Sequence, residues 1–251
     1  MTAYTRSPEL LASYYNAEMA SRNFHLPPHL MAPCMALMDQ RIRKLLIIVG
    51  PGAGKSQLIS VIYPAVELGL DPTTTILGVS AGEALMQGFQ ASVAQIIEWS
   101  DVYHTFFPDT KPNKDLGWST ANGIFVTGHS PSDPDASYFT AGLSSKALTG
   151  KHGRILLFDD LHDRENSASL ESCNKVVTTY YDTLLGRADP QGARFVIAGR
   201  RWNQNDLYSH LQKEGDFVTM TLPAERKGTK LYWDVTVPDG LECCFTDKLA
   251  A

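Results

Sequence analysis

A leucine- and isoleucine-rich run, Lys44–Val49 (KLLIIV), passes directly into Gly50-Pro51-Gly52-Ala53-Gly54-Lys55-Ser56 and then into an amphipathic stretch from Gln57 to Leu68. A strand without polar alternation has both faces covered, which places it inside a parallel sheet. A glycine-rich turn from such a strand into a helix collects free N–H groups and the positive helix end at one point, and phosphate binds there. In that setting Lys55, a point charge solvated at the loop edge, reaches the β- and γ-phosphates of a nucleoside triphosphate, and the Ser56 hydroxyl binds Mg²⁺. The loop is a variant. The usual eight-residue pattern puts its first glycine at position 49, where this chain has Val49, so Gly50-Pro51 must make the first turn.

Runs of the same kind recur at Thr73–Val79, Arg154–Phe158 and Arg194–Ala198, with helical stretches around Glu83–Trp99 and Ser169–Leu185 between them. Strands alternating with helices predict an α/β fold, a three-layer, doubly wound, mostly parallel sheet that binds ligands at the carboxyl ends of its strands. Gly117–Val126 and Ser137–Leu143 read as an antiparallel addition. Residues 1–40 form a helical lead with Leu10, Leu11, Tyr14, Tyr15 and Met19 at helical spacing, a break at Pro27-Pro28 and a second helix over 30–39. Residues 41–222 form the core, and 223–251 an irregular tail or linker without a further strand–helix unit.

Composition narrows the function classes. The 22 Lys+Arg against 27 Asp+Glu give a formal charge of −5, so the chain as a whole is not a basic nucleic-acid binder and any DNA contact must be local. No apolar run approaches the ~20 residues of a membrane span, and the first twenty residues lack the pattern of a signal peptide. The expectation is a protein that stays in the cytoplasm where it is made. Cys34, Cys173, Cys243 and Cys244 have neither zinc-ligand nor disulfide-framework spacing and read as reduced thiols.

A nucleotide site also needs a carboxylate on the metal side at the end of a neighbouring strand, and RILLFDD supplies Asp159 and Asp160. Asp159 is expected in the Mg²⁺ shell. Asp160 is the nearest group to orient an attacking water, with Glu165 in reserve; the plainer alternative for Asp160 is a helix cap. Arg200 and Arg201 follow the RFVIA strand at the same sheet edge and can reach a γ-phosphate, the alternative being a surface pair against Asp206. Two other functions share the phosphate loop: a nucleoside-phosphate kinase, which would need an arginine-rich lid that this chain lacks, and a non-enzymatic nucleotide switch.

The order of these segments resembles the ATPase half of phage large terminase subunits, the DNA-packaging motors. The likeness rests on the variant loop Gly50–Ser56, a strand ending at Ser80, Trp118-Ser119-Thr120, Gly142, Gly150, the FDD of Phe158–Asp160, the RRWNQNDL segment from Arg200 to Leu207, and Leu222-Pro223-Ala224. It spans about residues 25–225. It implies a P-loop NTPase of the ASCE type that binds ATP and Mg²⁺ and drives double-stranded DNA into a procapsid. It also implies a portal protein, a small terminase subunit and self-association into a ring on the portal as partners, in the host cytoplasm, with no membrane involved. By the same likeness Phe24–His29 occupies the adenine side, placing His29 and Gln57 with the loop residues among the nucleotide contacts, and Arg200 or Arg201 couples ATP state to DNA movement. Two departures stand out. Many members carry an arginine inside the loop, where this chain has Pro51, Gly52 and Ala53. The nuclease half of that family is also missing here, so no DNA cleavage is expected. A positive group at the transferring phosphoryl is worth ~10³-fold or more. The isolated chain is therefore expected to associate weakly and hydrolyse slowly until a ring neighbour supplies Arg187, Arg194, Arg200 or Arg201.

Overall fold

The computed structural model describes residues 4–222 and 233–246. Pro223, Ala224 and Asp247 lie outside them. The helical lead comprises α1 (Pro8–Met19), started by the Ser7 hydroxyl accepting from the Leu10 amide, and α2 (Met31–Met38). The strand β1 (Lys44–Val49) leads through the glycine-rich loop Gly50–Ser56 into a continuous helix, π-helical over Gln57–Ile62 and α-helical as α3 (Tyr63–Leu70). Then come β2 (Ile76–Ser80), α4 (Glu83–Trp99), α5 (Asp101–Phe106), the two-residue strands β3 (Trp118–Ser119) and β4 (Gly123–Ile124), and β5 (Tyr138–Gly142). The chain continues through β6 (Ile155–Asp159), α6 (Leu170–Thr179), β7 (Arg194–Gly199), α7 (Leu207–Glu214), β8 (Val218–Leu222) and β9 (Asp234–Thr236).

The strands form one mixed sheet in the order β3-β4-β5-β2-β6-β7-β1-β8-β9. The strands from β5 to β8 in this order are mutually parallel, and β3, β4 and β9 pair antiparallel at the edges. Side chains alternate between two cores, as a strand's period of two requires. Leu45, Ile47 and Val49 pack with α1 to α5 on one face, whereas Leu46 and Ile48 join α6 and α7 on the other. Three layers result.

Two sequence expectations change. Ser137–Leu143 was expected antiparallel, but β5 pairs parallel with β2, Ile76 opposite Tyr138. The long helix α4 makes the connection from β2 a crossover, and a crossover returns the chain in the same direction. Within that addition, the β3–β4 hairpin and its bridge to β5 are antiparallel. The region after Leu222 was expected to be irregular, yet β9 pairs with β8, Trp233 Nε1 donates to the His29 carbonyl at 2.5 Å, and Cys243 is fully buried. β8 itself, parallel to β1, escaped notice because VTMTL is short and polar at alternate positions.

Gly69 in α3 shows how tightly the first core is packed: a methyl there would meet ring carbons of Phe107 at 2.4 to 2.6 Å. Alanine is the better helix former, but overpacking outweighs that gain. Gly69→Ala is expected to destabilise the protein by ~1–3 kcal/mol in a denaturant titration. A stabilising effect would show that Phe107 moves freely.

Candidate active site

The carboxyl ends of β1, β2, β6 and β7 converge on a cavity of about 430 Å³ whose lining includes Pro51, Lys55, Ser80, Asp160, Arg200 and Trp202. Asp160 follows β6 in a left-handed conformation, φ 48°, which costs a non-glycine residue roughly 1 kcal/mol and is best tolerated by Asn and Asp. Two hydrogen bonds hold it there: its amide donates to the Ala198 carbonyl at 2.9 Å, and its carbonyl accepts from the Ala81 amide at 3.1 Å. The turn aims the carboxylate into the cavity. Asp160 caps no helix by any side-chain bond among the described residues, and the carboxylate instead meets Lys55.

Lys55 Nζ donates to Asp159 Oδ1 at 2.8 Å and to Asp160 Oδ2 at 2.5 Å, and lies 3.3 Å from Ser56 Oγ. The expected solvated lysine is thus overturned: Lys55 is 7% exposed, because the loop folds it inward between two strand-end carboxylates. Burial, the largest influence on Lys55, works against its charge, but the two carboxylates outweigh it and its pKa lies above the ordinary lysine value. For Asp160 burial is again the largest influence and raises the carboxyl, Asp159 adds to it, and Lys55 and Arg200 offset only part. One cation is thus shared between two carboxylates.

The helix behind the loop is shaped by Pro64. Proline has no N–H for the carbonyl four residues back, Ser60, and the preceding turn widens so that the Tyr63 amide reaches Leu58. The freed Ser60 carbonyl accepts from Tyr138 Oη at 3.1 Å. Ser60 Oγ, fully buried, donates to Asp159 Oδ2 at 2.8 Å. Asp159 is therefore held from both sides, by Lys55 and by Ser60. Ser60 was missed in the sequence, although it stands four residues after Ser56, one helical turn along the same face.

The arginines separate. Arg200 lines the cavity and stacks over Trp202, 3.7 Å from the ring centroid. Arg201, expected to reach a γ-phosphate, turns away to Gln212, to Ser209 Oγ at 2.5 Å and to Asp206 at 3.4 Å, the arrangement given only as the alternative for the pair. Arg194 is corrected outright. It begins β7 at the opposite end of the sheet and is 3% exposed. Its guanidinium donates to the carbonyls of Ala36, Leu37, Asp39 and Ile42 and to Tyr63 Oη, closing the end of α2. A group so committed cannot serve a neighbour. Arg187 also lies at the amino ends of the strands, next to the Gly153–Ala188 bridge. Glu165 is exposed and outside the cavity lining, whereas Asp163 and Arg164 line it.

Around the loop, Gly52 and Gly54 adopt positive φ, 77° and 79°, as the turn requires, and the space beside Gly50 and Gly52 is open. His29 Nε2 donates to the Ala53 carbonyl at 2.9 Å, so His29 buttresses the loop from below. Gln57 contacts Met19 Sδ at 3.6 Å and faces a second cavity of about 480 Å³, lined also by Arg22 and Trp99 but by none of residues 24–29. Phe24 is largely exposed.

The open loop, the inward lysine and the paired carboxylates suit a triphosphate with Mg²⁺. Among the described residues no cluster of three His, Cys, Asp or Glu forms a metal cage. Ser56 and Asp159 supply one hydroxyl and one carboxylate, the sparse donor set with which proteins hold Mg²⁺ alongside phosphate oxygens and water. No helix of the described residues is long and apolar enough to cross a membrane. Comparison of the chain with models of known protein families finds no match, and neither does comparison with curated proteins.

Proposed function

We propose that this chain is an ATP-hydrolysing motor domain of the viral large terminase kind, a P-loop NTPase of the ASCE type that translocates double-stranded DNA. The observation that carries the reading is the placement of Lys55 against Asp159 and Asp160 at the mouth of β1 and β6, with β7 inserted between those strands and Arg200 at its end. The terminase assignment within that class rests on the FDD, RRWNQNDL and Leu222-Pro223-Ala224 pattern. The partners proposed with it are DNA, a portal protein, a small terminase subunit and ring neighbours.

In this reading the loop amides and Lys55 bind the phosphates, Lys55 turning to them from its carboxylate partners. Ser56 and Asp159 hold the Mg²⁺, which when bound neutralises charge on the transferring phosphoryl. Asp160 orients the attacking water; Glu165 is too exposed to be favoured. Arg200, held at the cavity by stacking on Trp202, is the cation aimed at the γ-phosphate, and Arg201 is left to the support of α7.

ATP turnover by the purified chain, with and without double-stranded DNA and with an added nucleoside monophosphate, tests the reading. DNA-stimulated phosphate release is expected. Phosphoryl transfer to the monophosphate would make the protein a kinase, and tight binding without turnover would make it a switch. Asp160→Asn is expected to keep ATP binding within a few-fold and lose ~100-fold or more in turnover. An equal loss of binding would place Asp160 in the metal shell instead.

A further inference from the structure

Two buried polar groups beside the candidate site have no hydrogen-bond partner. One is Asp160 Oδ1, the carboxylate oxygen that Lys55 does not take; the other is the hydroxyl of Tyr208, in the first turn of α7. Tyr208 is fully buried. The tip of its ring rests on Gly199 so closely that a Cβ there would lie 2.2 Å from the hydroxyl oxygen. Gly199 ends β7, one step beyond Ala198, which stands opposite Asp159 in the sheet, and so it flanks Asp160. Of all charges, that of Asp160 acts most strongly on this hydroxyl. The amides of Leu161 and His162 face its oxygen without reaching hydrogen-bond geometry, which leaves its proton free to be donated elsewhere.

A buried donor and a buried acceptor left unpaired at the end of the same pair of strands are each costly, and such groups call for an explanation. A change of state at the site provides one. While Lys55 holds Oδ2, Asp160 has its counter-charge and needs no second partner. Once Lys55 turns to phosphate, the carboxylate loses its nearest cation, and Tyr208 is the neutral donor at hand. We propose that Tyr208 is a positioning residue for Asp160, its hydroxyl taking over the carboxylate when Lys55 leaves it and so fixing the orientation in which Asp160 meets the attacking water. The glycine at 199 admits the tyrosine tip to that position. The proposal rests on the ATPase reading for its role in turnover, but the hand-over itself concerns residues of this chain alone.

The test uses Tyr208→Phe, which removes the oxygen and keeps the ring, in two backgrounds. In the otherwise native chain kcat is expected to fall ~10-fold with KM changing less than about twofold, because the group acts after binding. Without nucleotide, the same substitution should leave Tm unchanged or raised, since the hydroxyl is then unsatisfied. In a Lys55→Met background it should lower Tm by ~2–4 °C, because Asp160 now depends on it. That reversal is a readout that a purely structural tyrosine would not produce. Native-like kcat, or the same Tm effect in both backgrounds, overturns the proposal. A Tm reversal in a chain without any ATP turnover would retain the Tyr208–Asp160 pair and reject the ATPase reading.

Discussion

Lys55→Ala is expected to bring ATP turnover to background and to weaken Mg²⁺–ATP binding by ~100-fold or more, since charge-assisted hydrogen bonds to phosphate are worth ~1.5–3 kcal/mol each. Loss of binding is measured by calorimetry or fluorescent-nucleotide displacement, and near-native affinity would reject the phosphate loop as the site. The structure adds a second effect. Lys55 is the shared cation of Asp159 and Asp160, so its removal leaves two neighbouring carboxylates without the cation they both contact. The variant should therefore melt below the native chain at neutral pH. Asp160 already binds its proton more tightly than a free aspartate because of burial, and deleting Lys55 moves it further in that direction. A carboxyl whose pKa is raised in the folded state takes up protons on folding, so its cost is present above the folded pKa and relieved as pH falls through it. The melting deficit of Lys55→Ala should accordingly shrink as pH falls from neutral toward the ordinary aspartate range. A deficit that grows on acidification would mean the carboxylates are not what the lysine holds.

Arg194→Met is expected to cost about 4 kcal/mol of stability, among the largest single-residue effects in the molecule. Its guanidinium satisfies the carbonyls of Ala36, Leu37, Asp39 and Ile42 together with Tyr63 Oη, in a place where water does not reach. The last carbonyls of any helix lack intrahelical donors, and here they are buried against β1 and β7, so methionine would leave several acceptors unpaired at once. Arg201→Met, at a half-exposed guanidinium, should change stability by no more than about 1 kcal/mol. Equal and small losses in urea titrations of the two variants would show that water replaces Arg194 and that the helix end is not sealed.

The strands β1, β2, β6 and β7 were legible because residues buried on both faces leave uninterrupted apolar runs, and α1 and α4 because their apolar positions recur at helical spacing. The glycine-rich loop and the paired aspartates were legible because each follows such a run directly. β5 was seen as a strand but not in its direction, since direction depends on the crossover through α4 rather than on the five residues YFTAG. Local sequence thus determined the apolar central strands and the amphipathic helices, though not β8 or β9, and that a glycine loop, a lysine and two aspartates stand at strand ends. It could not tell Arg194 from Arg200, six residues apart on one strand and its exit, because only assembly of the sheet puts one under α2 and the other at the cavity. Nor could it place Ser60, Trp202 or Tyr208 around the aspartates, for these come together through a π-turn forced by Pro64 and through the docking of α7 on Gly199. The inward position of Lys55 was also decided by tertiary structure, because a lysine turns from water only when two carboxylates from a distant strand are there to receive it.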